Sequence, residues 1–155
     1  IFFSSLFIRR LAVTPGLLTG YYFDFFSINE KVMLSDSIFS KLAQYPYNLP
    51  FQNLIGSMYF GTTEASANAN IWANAFAHFG YGGQIIFSIF FAAILWVYDS
   101  IARDKLILGI LIICIYAFIF ANTGLFTSLL TGGFLLSIFV TYLIPTDKTL
   151  NKFKN

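Results

Sequence analysis

The stretch Gly83–Tyr98 reads GQIIFSIFFAAILWVY and decides the fold, because it is a long apolar run without a single charged residue. Two similar stretches follow it, Leu106–Ala121 and Leu125–Ile144. A helix that crosses the hydrocarbon core of a bilayer, about 30 Å thick, needs about 20 mostly apolar residues. The sequence therefore predicts three transmembrane helices, of which the first two are slightly short.

The overall composition favours the same class of protein. Hydrophobic residues make up 57% of the 155 residues and charged residues only 10%, against about a quarter in an average soluble domain. A chain of this length cannot bury that much apolar surface in water. Composition therefore excludes a soluble globular enzyme, a disordered region, a collagen and a disulfide-stapled secreted domain. A net charge of +2 gives no indication of a nucleic-acid partner.

The basic residues predict how the spans are oriented. The loop at 99–105 carries Arg103 and Lys105, and the tail after Pro145 carries three more lysines. An even number of spans separates the loop from the tail, so both should lie on one side of the membrane. The positive-inside rule makes that side cytoplasmic.

The chain is expected to form an all-α, polytopic transmembrane helix bundle with four regions. These are a broken membrane helix at 1–27, a periplasmic loop with short amphipathic helices at 28–82, three transmembrane helices at 83–145 and a cytoplasmic tail at 146–155. Because the chain opens at Ile1 inside an apolar run, we expect it to be the C-terminal part of a longer membrane protein.

The N-terminal region contains an arginine pair, Arg9-Arg10, just before Thr14-Pro15-Gly16. Threonine is a good N-cap and proline suits the first helical turn, so a helix is expected to begin at Pro15, as a new helix or after a kink. Two interpretations of the arginines stay open. They form an anion site with the free N–H groups of that helix, suited to phosphate or pyrophosphate, or they lie at a cytoplasmic helix end and only set topology.

The outside region shows three local patterns. Ser35–Tyr45 has the spacing of a short amphipathic helix on the membrane surface. Gly61–Asn70 is the longest polar run and predicts a loop. Ile71–Phe79 resumes a helical pattern that should end at Gly80.

Several polar side chains of this region are candidates for chemistry, each with a structural alternative. Asp24 lies among aromatic residues and could be a buried general base or the partner of an arginine. Glu64 lies in the polar loop near asparagines and aromatic residues, the types that bind sugars, or it belongs to a solvated loop in which an asparagine caps a helix. His78, the single histidine, could shuttle a proton or be a polar group at the membrane interface. One histidine and one cysteine predict no metal site.

Several residue strings, taken together, resemble one known family. They are Arg9-Arg10 with Thr14-Pro15-Gly16 and Tyr21-Tyr22-Phe23-Asp24-Phe25-Phe26-Ser27, then Ile55-Gly56 with Tyr59-Phe60 and Asn68-Ala69-Asn70-Ile71-Trp72-Ala73, and finally Phe76-Ala77-His78-Phe79-Gly80-Tyr81-Gly82-Gly83. They resemble the C-terminal third of bacterial oligosaccharide repeat-unit polymerases, the Wzy-type O-antigen or capsule polymerases. The chain has Asn74, Ala75 and His78 where the family often has Asp, Gly and Asn, so no acidic role is assigned to position 74.

The resemblance implies a multi-pass glycosyltransferase of the bacterial inner membrane, with its site facing the periplasm or cell exterior. Such an enzyme polymerises undecaprenyl-pyrophosphate-linked repeat units into O-antigen, which is part of lipopolysaccharide, or into capsular polysaccharide, without a cofactor or metal. The implied partners are the lipid-linked glycan, the lipid bilayer, a chain-length regulator and other O-antigen assembly proteins.

The resemblance also suggests a set of site residues. The catalytic candidates are Arg9, Arg10, Asp24, Glu64 and His78, with the arginines on the pyrophosphate and the other three competing as the base. The substrate-binding candidates are Asn68, Asn70, Trp72, Asn74 and Tyr22. The alternatives are a flippase or transporter fragment for lipid-linked glycans, although its expected intramembrane charges are missing from the three spans, and a non-catalytic membrane subunit.

Overall fold

The computed structural model describes residues 8–9, 13–35, 41 and 44–145, and the regular secondary structure of these residues is entirely helical. Of these residues 72% are helical and none forms a strand. The helices are α1 (Thr14–Ile28), α2 (Phe51–Phe60), α3 (Ile71–Ala102), α4 (Leu106–Asn122), α5 (Leu125–Leu129) and α6 (Phe134–Leu143). Arg10, most of the predicted helix Ser35–Tyr45 and the tail at 146–155 lie outside the described residues.

Helix α1 begins at Thr14, with Pro15 in its first turn as the sequence predicts. No side chain caps this helix end, so Thr14 does not act as the N-cap that its residue type suggests. At the other end, the backbone N–H and the side-chain amide of Asn29 both donate to the carbonyl of Phe25, at 3.2 and 2.8 Å. These bonds satisfy a carbonyl that has no partner within the helix.

Helices α1 and α2 and the first half of α3 pack around a core that we call the aromatic layer. Its fully buried members include Tyr22, Phe26, Phe51 and Ile55. The rings of Tyr22 and Phe51 meet edge to face with centroids 5.8 Å apart, a favoured geometry for aromatic pairs.

The polar run at 61–70 is a loop, as predicted, and it is fastened to α2. The N–H of Ala67 donates to the carbonyl of Gln52 at 3.1 Å, and the side-chain amide of Asn53 donates to the carbonyl of Thr63 at 2.8 Å. Gly56 allows the close approach, because a Cβ there would lie 2.0 Å from the carbonyl oxygen of Ala65. The loop therefore belongs to the aromatic layer.

Helix α3 breaks at Phe79 and Gly80, where the sequence predicts a helix end. Gly80 has φ 64° and ψ −147°, a conformation that only glycine adopts readily. Just beyond the break Gly83 lies against the first half of the helix, because a Cβ there would be 2.5 Å from the carbonyl oxygen of Ala75. The second half then continues to Ala102.

The second half of α3 packs with α4, α5 and α6 around a second core, which we call the apolar bundle and to which Ile71 and Ala75 of the first half also belong. Its buried members include Phe87, Tyr98, Tyr116, Phe120 and Phe134. Each of the three predicted apolar segments contributes to this core.

The third predicted span, Leu125–Ile144, is apolar and long enough to cross a membrane, but it contains a break that the sequence did not indicate. Helix α5 ends at Leu129 and α6 begins at Phe134, with Gly133 in the left-handed region at φ 78°. The paired glycines at 132–133 weaken the helix, and the Tyr116 hydroxyl donates to the carbonyl of Gly132 at 3.0 Å. That bond satisfies a polar group that the break would otherwise leave without a partner.

The two ends of the apolar bundle are formed by different loops. At one end the Lys105 ammonium donates to the carbonyl of Thr141, near the C-terminus of α6. The loop at 99–105 and the end of α6 thus lie together, as the orientation argument requires. At the other end Gly124 lies against Asn74 of the aromatic layer, because a Cβ on this glycine would be 2.7 Å from the Asn74 amide.

Two stretches, Ile71–Ala102 and Leu125–Leu143, are long and apolar enough to cross a membrane by length and composition. In the most apolar window of each, only 17% and 28% of residues are buried inside the protein, whereas a core helix of a soluble protein is mostly buried. Helix α4, with 17 residues, is about 25 Å long. Large apolar side chains are exposed along all three segments, among them Ile85, Ile89, Ile107, Ile115, Leu136 and Phe139.

The break in α3 yields a stability prediction with a neighbouring control. Gly80→Ala places a Cβ on a backbone with φ 64° and ψ −147°, a conformation that is strained for residues other than glycine. The substitution should lower the free energy of unfolding by about 1–3 kcal/mol. Gly82→Ala should be neutral or slightly stabilising, because nothing lies within 4 Å of a Cβ there and its φ is ordinary. Thermal unfolding in one detergent measures both variants. Equal melting temperatures for the two would show that the break does not depend on glycine.

Candidate functional site

A small polar pocket lies where the aromatic layer meets the apolar bundle, and we call it the amide pocket. Its volume is about 60 Å³, and its polar lining side chains are Tyr22, Gln52, Asn68, Asn74, Thr123 and Thr127. Three of these, Tyr22, Asn68 and Asn74, are among the substrate-binding residues suggested by the sequence. The structure brings them together from α1, the polar loop and α3.

Each wall of the amide pocket is fixed by the local fold. The Tyr22 hydroxyl donates to the carbonyl of Ala67 at 2.8 Å, which fixes the loop that carries Asn68. Asn74 lies one turn after the N-cap residue Asn70 of α3, and its backbone N–H donates to the Asn70 carbonyl at 3.0 Å. The turn between α4 and α5 closes the pocket, and there the Thr123 hydroxyl is held by the Ile119 carbonyl at 2.9 Å.

The amide side chains of the pocket are not used to hold the fold. Within the described part of the chain, the side chains of Gln52, Asn68 and Asn74 make no hydrogen bond to protein. In the described part of the chain, every buried side-chain N or O atom has a hydrogen-bond partner. The unbonded polar atoms of these three amides are therefore accessible to solvent. Three convergent amides offer donors and acceptors together, so the pocket is chemically suited to a neutral polar group.

Two other sequence candidates, Asn70 and Trp72, do not line this pocket and have structural contacts. Asn70 caps α3, its side-chain oxygen accepting from the N–H groups of Trp72 and Ala73 at 3.0 and 2.9 Å. Its amide also donates to the Thr19 hydroxyl at 2.7 Å and so ties α3 to α1. The Trp72 indole N–H donates to Ser88 at 3.0 Å, across the break in α3.

Asp24 is exposed, whereas the general-base interpretation of the sequence placed it in a buried site. Its Oδ2 accepts a hydrogen bond of 2.5 Å from the Tyr59 hydroxyl, and Tyr21 stacks on Tyr59 with ring centroids 4.2 Å apart. Partial burial of the phenol, followed by the hydrogen bond and the negative charge of Asp24, raises the pKa of Tyr59 to about 12. Asp24 therefore belongs to an exposed carboxylate–phenol pair.

His78 is only 2% exposed and lies between the two cores. Its Nδ1 accepts a hydrogen bond of 3.1 Å from the N–H of Leu34, and its ring contacts Phe51 and Phe87. An accepting Nδ1 carries no proton, so the imidazole is neutral in this arrangement. Glu64, in contrast, is exposed in the polar loop.

Among the basic residues, Lys31 makes contacts that the sequence reasoning did not predict. Arg9 is exposed, while Lys31 is half-buried, with its Nζ 4.2 Å from the centroid of the Phe76 ring and donating to the Phe26 carbonyl. Desolvation lowers the pKa of Lys31 from its usual value. These contacts close the end of α1, and the residue carried no pattern in the sequence that indicated them.

The sequence reasoning also missed Gln52, Thr123 and Thr127 as pocket residues. Gln52 comes from α2, Thr123 from the α4–α5 turn and Thr127 from α5, so both threonines lie more than 40 positions along the chain from Gln52 and Asn74. Only the packing of the turn against Asn74 brings them to the site, so no local pattern could have indicated them.

Comparison with known proteins gave no family model, no curated protein and no solved structure that matches this chain.

The carboxylate–phenol pair gives a prediction about alkaline titration. Because the raised pKa favours the protonated phenol in the folded state, this stabilisation is present below pH 10 and is lost as the pH rises through about 12. Asp24→Asn should move the pKa of Tyr59 down towards 10, without reaching it because the burial remains. Ultraviolet difference titration against the parent protein measures the shift. Glu64→Gln is the matched control, and a titration curve unchanged by Asp24→Asn would contradict the pairing.

Proposed function

We propose that the chain is part of an inner-membrane glycosyltransferase that polymerises undecaprenyl-pyrophosphate-linked oligosaccharide repeat units into O-antigen or capsular polysaccharide. The observation that carries the proposal is the amide pocket, in which Tyr22, Asn68 and Asn74 meet. The sequence assigns these three residues to sugar binding through the family resemblance, and the fold places them in one cavity.

The placement of the pocket suits a substrate that is lipid on one side and sugar on the other. The apolar bundle exposes large apolar side chains that are suited to lipid, and we infer that its three segments cross the membrane. The aromatic layer then lies at the outer boundary of the bilayer, where tyrosine and tryptophan are favoured. The amide pocket opens at the junction of these two parts.

In this proposal, the pyrophosphate and the sugar of the substrate are bound by different residues. The leaving group of the reaction is a lipid pyrophosphate, whose departure is helped by cations fixed near it. Arg9 and Arg10 keep that role, and Arg9 is exposed and free to approach a headgroup. Of the three candidate bases, Asp24 and Glu64 are exposed, with Asp24 bonded to Tyr59, whereas His78 would first have to leave Leu34.

A flippase or transporter for the same lipid-linked glycans is the second candidate, and the break between α5 and α6 favours it. Discontinuous helices are frequent at the binding sites of transporters. The bond from Tyr116 to the carbonyl of Gly132 closes this break within the protein, however, and the sequence at 106–146, which contains the break, has no charged residue. Polymerisation therefore remains our first proposal.

The test is made in the parent organism by replacing the arginine assigned to the pyrophosphate. Arg10→Ala should abolish long-chain surface polysaccharide and leave lipid capped with a single repeat unit, because the donor would lose its cationic contact. Arg103→Ala, in the loop at the other end of the bundle, is the matched control and should leave chain length unchanged. The polysaccharide is resolved by gel electrophoresis.

Three outcomes distinguish the candidates. Unaltered chain length in Arg10→Ala removes this residue from the polymerase mechanism. If both the long chains and the lipid capped with a single repeat unit are lost, and repeat units accumulate on the cytoplasmic face, the protein is a flippase. Unaltered polysaccharide after deletion of the whole gene contradicts both functions.

A further inference from the structure

The amide pocket is too small for a sugar ring, and its size indicates what it accepts. Pockets that enclose a whole small-molecule ligand have volumes of about 300–1,000 Å³, whereas the amide pocket has about 60 Å³. Only one substituent of a sugar can therefore enter, while the ring stays outside.

The lining of the pocket indicates the chemistry of that substituent. No charged side chain lines it, so a phosphate, a carboxylate or an ammonium group would be desolvated there without a compensating charge. Gln52, Asn68 and Asn74 each present a donor and an acceptor. The best complement is a neutral group that both donates and accepts.

The pocket also has an apolar wall. Phe51 and Ala69 lie beside the amides, and both are almost fully buried, so this wall is fixed by the core. A hydroxyl or hydroxymethyl group would leave part of the volume and this wall unused. An acetamido group has four non-hydrogen atoms, an N–H donor, a carbonyl acceptor and a methyl group, and it matches each part of the lining.

We propose that the amide pocket binds the acetamido group of an N-acetylated sugar and so selects repeat units that carry such a sugar at the reacting position. This inference rests on the proposed function, because it assumes that the ligand is a glycan. The amides of Gln52, Asn68 and Asn74 bond the N–H and carbonyl of the group, and its methyl lies against Phe51 and Ala69.

The direct test uses the whole protein in lipid nanodiscs and two probes, the methyl glycosides of N-acetylglucosamine and of glucose. Saturation-transfer NMR should give its strongest signal on the acetamido methyl protons. The N-acetylated probe should bind at least about tenfold more tightly, the factor that one additional uncharged hydrogen bond supplies. Equal affinity for the two probes, or no binding of the N-acetylated probe, would overturn the inference.

The variants have matched controls in the same chain. Gln52→Ala and Asn74→Ala should each weaken binding of the N-acetylated probe about tenfold, whereas Gln44→Ala and Asn48→Ala, exposed amides outside the pocket, should not. If the pocket variants bind as tightly as the parent protein, the pocket is not the site and the inference fails.

Gly124→Ala is a further variant that retains every amide. Its Cβ would displace the Asn74 side chain, which is 2.7 Å away, so binding should weaken as it does in Asn74→Ala. If Gln52→Ala or Asn74→Ala does not fold, Gly124→Ala still tests whether the pocket binds the N-acetylated probe.

Failure of the inference and failure of the proposed function are separate results. If both probes bind with equal affinity and the pocket variants weaken both equally, the amide pocket is a sugar site that has no preference for an acetamido group. The gel of surface polysaccharide depends on neither probe, so it reports on polymerisation whatever the binding experiment shows.

Discussion

The break in α3 at Phe79 and Gly80 is the constraint on which the rest of the structure depends. It lets one helix serve two cores, because Phe76 packs in the aromatic layer while Phe87 packs in the apolar bundle. The left-handed φ of Gly80 turns the chain, and the missing side chain of Gly83 lets the second half approach the carbonyl of Ala75. Ile71 and Ala75 of the first half also belong to the apolar bundle, so the break places the second half of α3 beside a segment at which the two cores already meet.

The structure separates neutral polar groups from charged ones, and this separation gives the site its chemical character. The amides of Asn68 and Asn74 make no hydrogen bond to the described part of the protein, and both line a pocket that remains accessible to solvent. The charged groups lie elsewhere, with Asp24 paired to Tyr59 at the surface and Lys31 held at the end of α1. A glycan carried on a lipid pyrophosphate needs both kinds of contact, at different places.

The sequence predicted those features that depend on local composition. The span at Leu106–Ala121 agrees with α4 to within one residue, and the helix end at Gly80 follows from a residue type that tolerates unusual backbone angles. The break in the third span was missed because hydropathy averaged along Leu125–Ile144 does not register two glycines in an apolar setting. The full pocket could not be predicted, since Thr123 reaches it only through tertiary packing, and Trp72 has the residue type of a sugar-binding group but bonds Ser88.

The central claim of the proposed function is that the aromatic layer and the loop at 99–105, which carries Arg103 and Lys105, lie on opposite sides of one membrane. Cysteine accessibility tests it most directly, because Cys114 is the single cysteine and Cys114→Ser gives a clean background. The two probe positions, Ser66 in the polar loop and Ser100 near the end of α3, are both exposed. With a membrane-impermeant maleimide on intact cells made permeable only at the outer membrane, Ser66→Cys should be labelled, and Ser100→Cys should be labelled only after lysis. Labelling of both positions in intact cells, or of Ser100→Cys alone, would contradict the account.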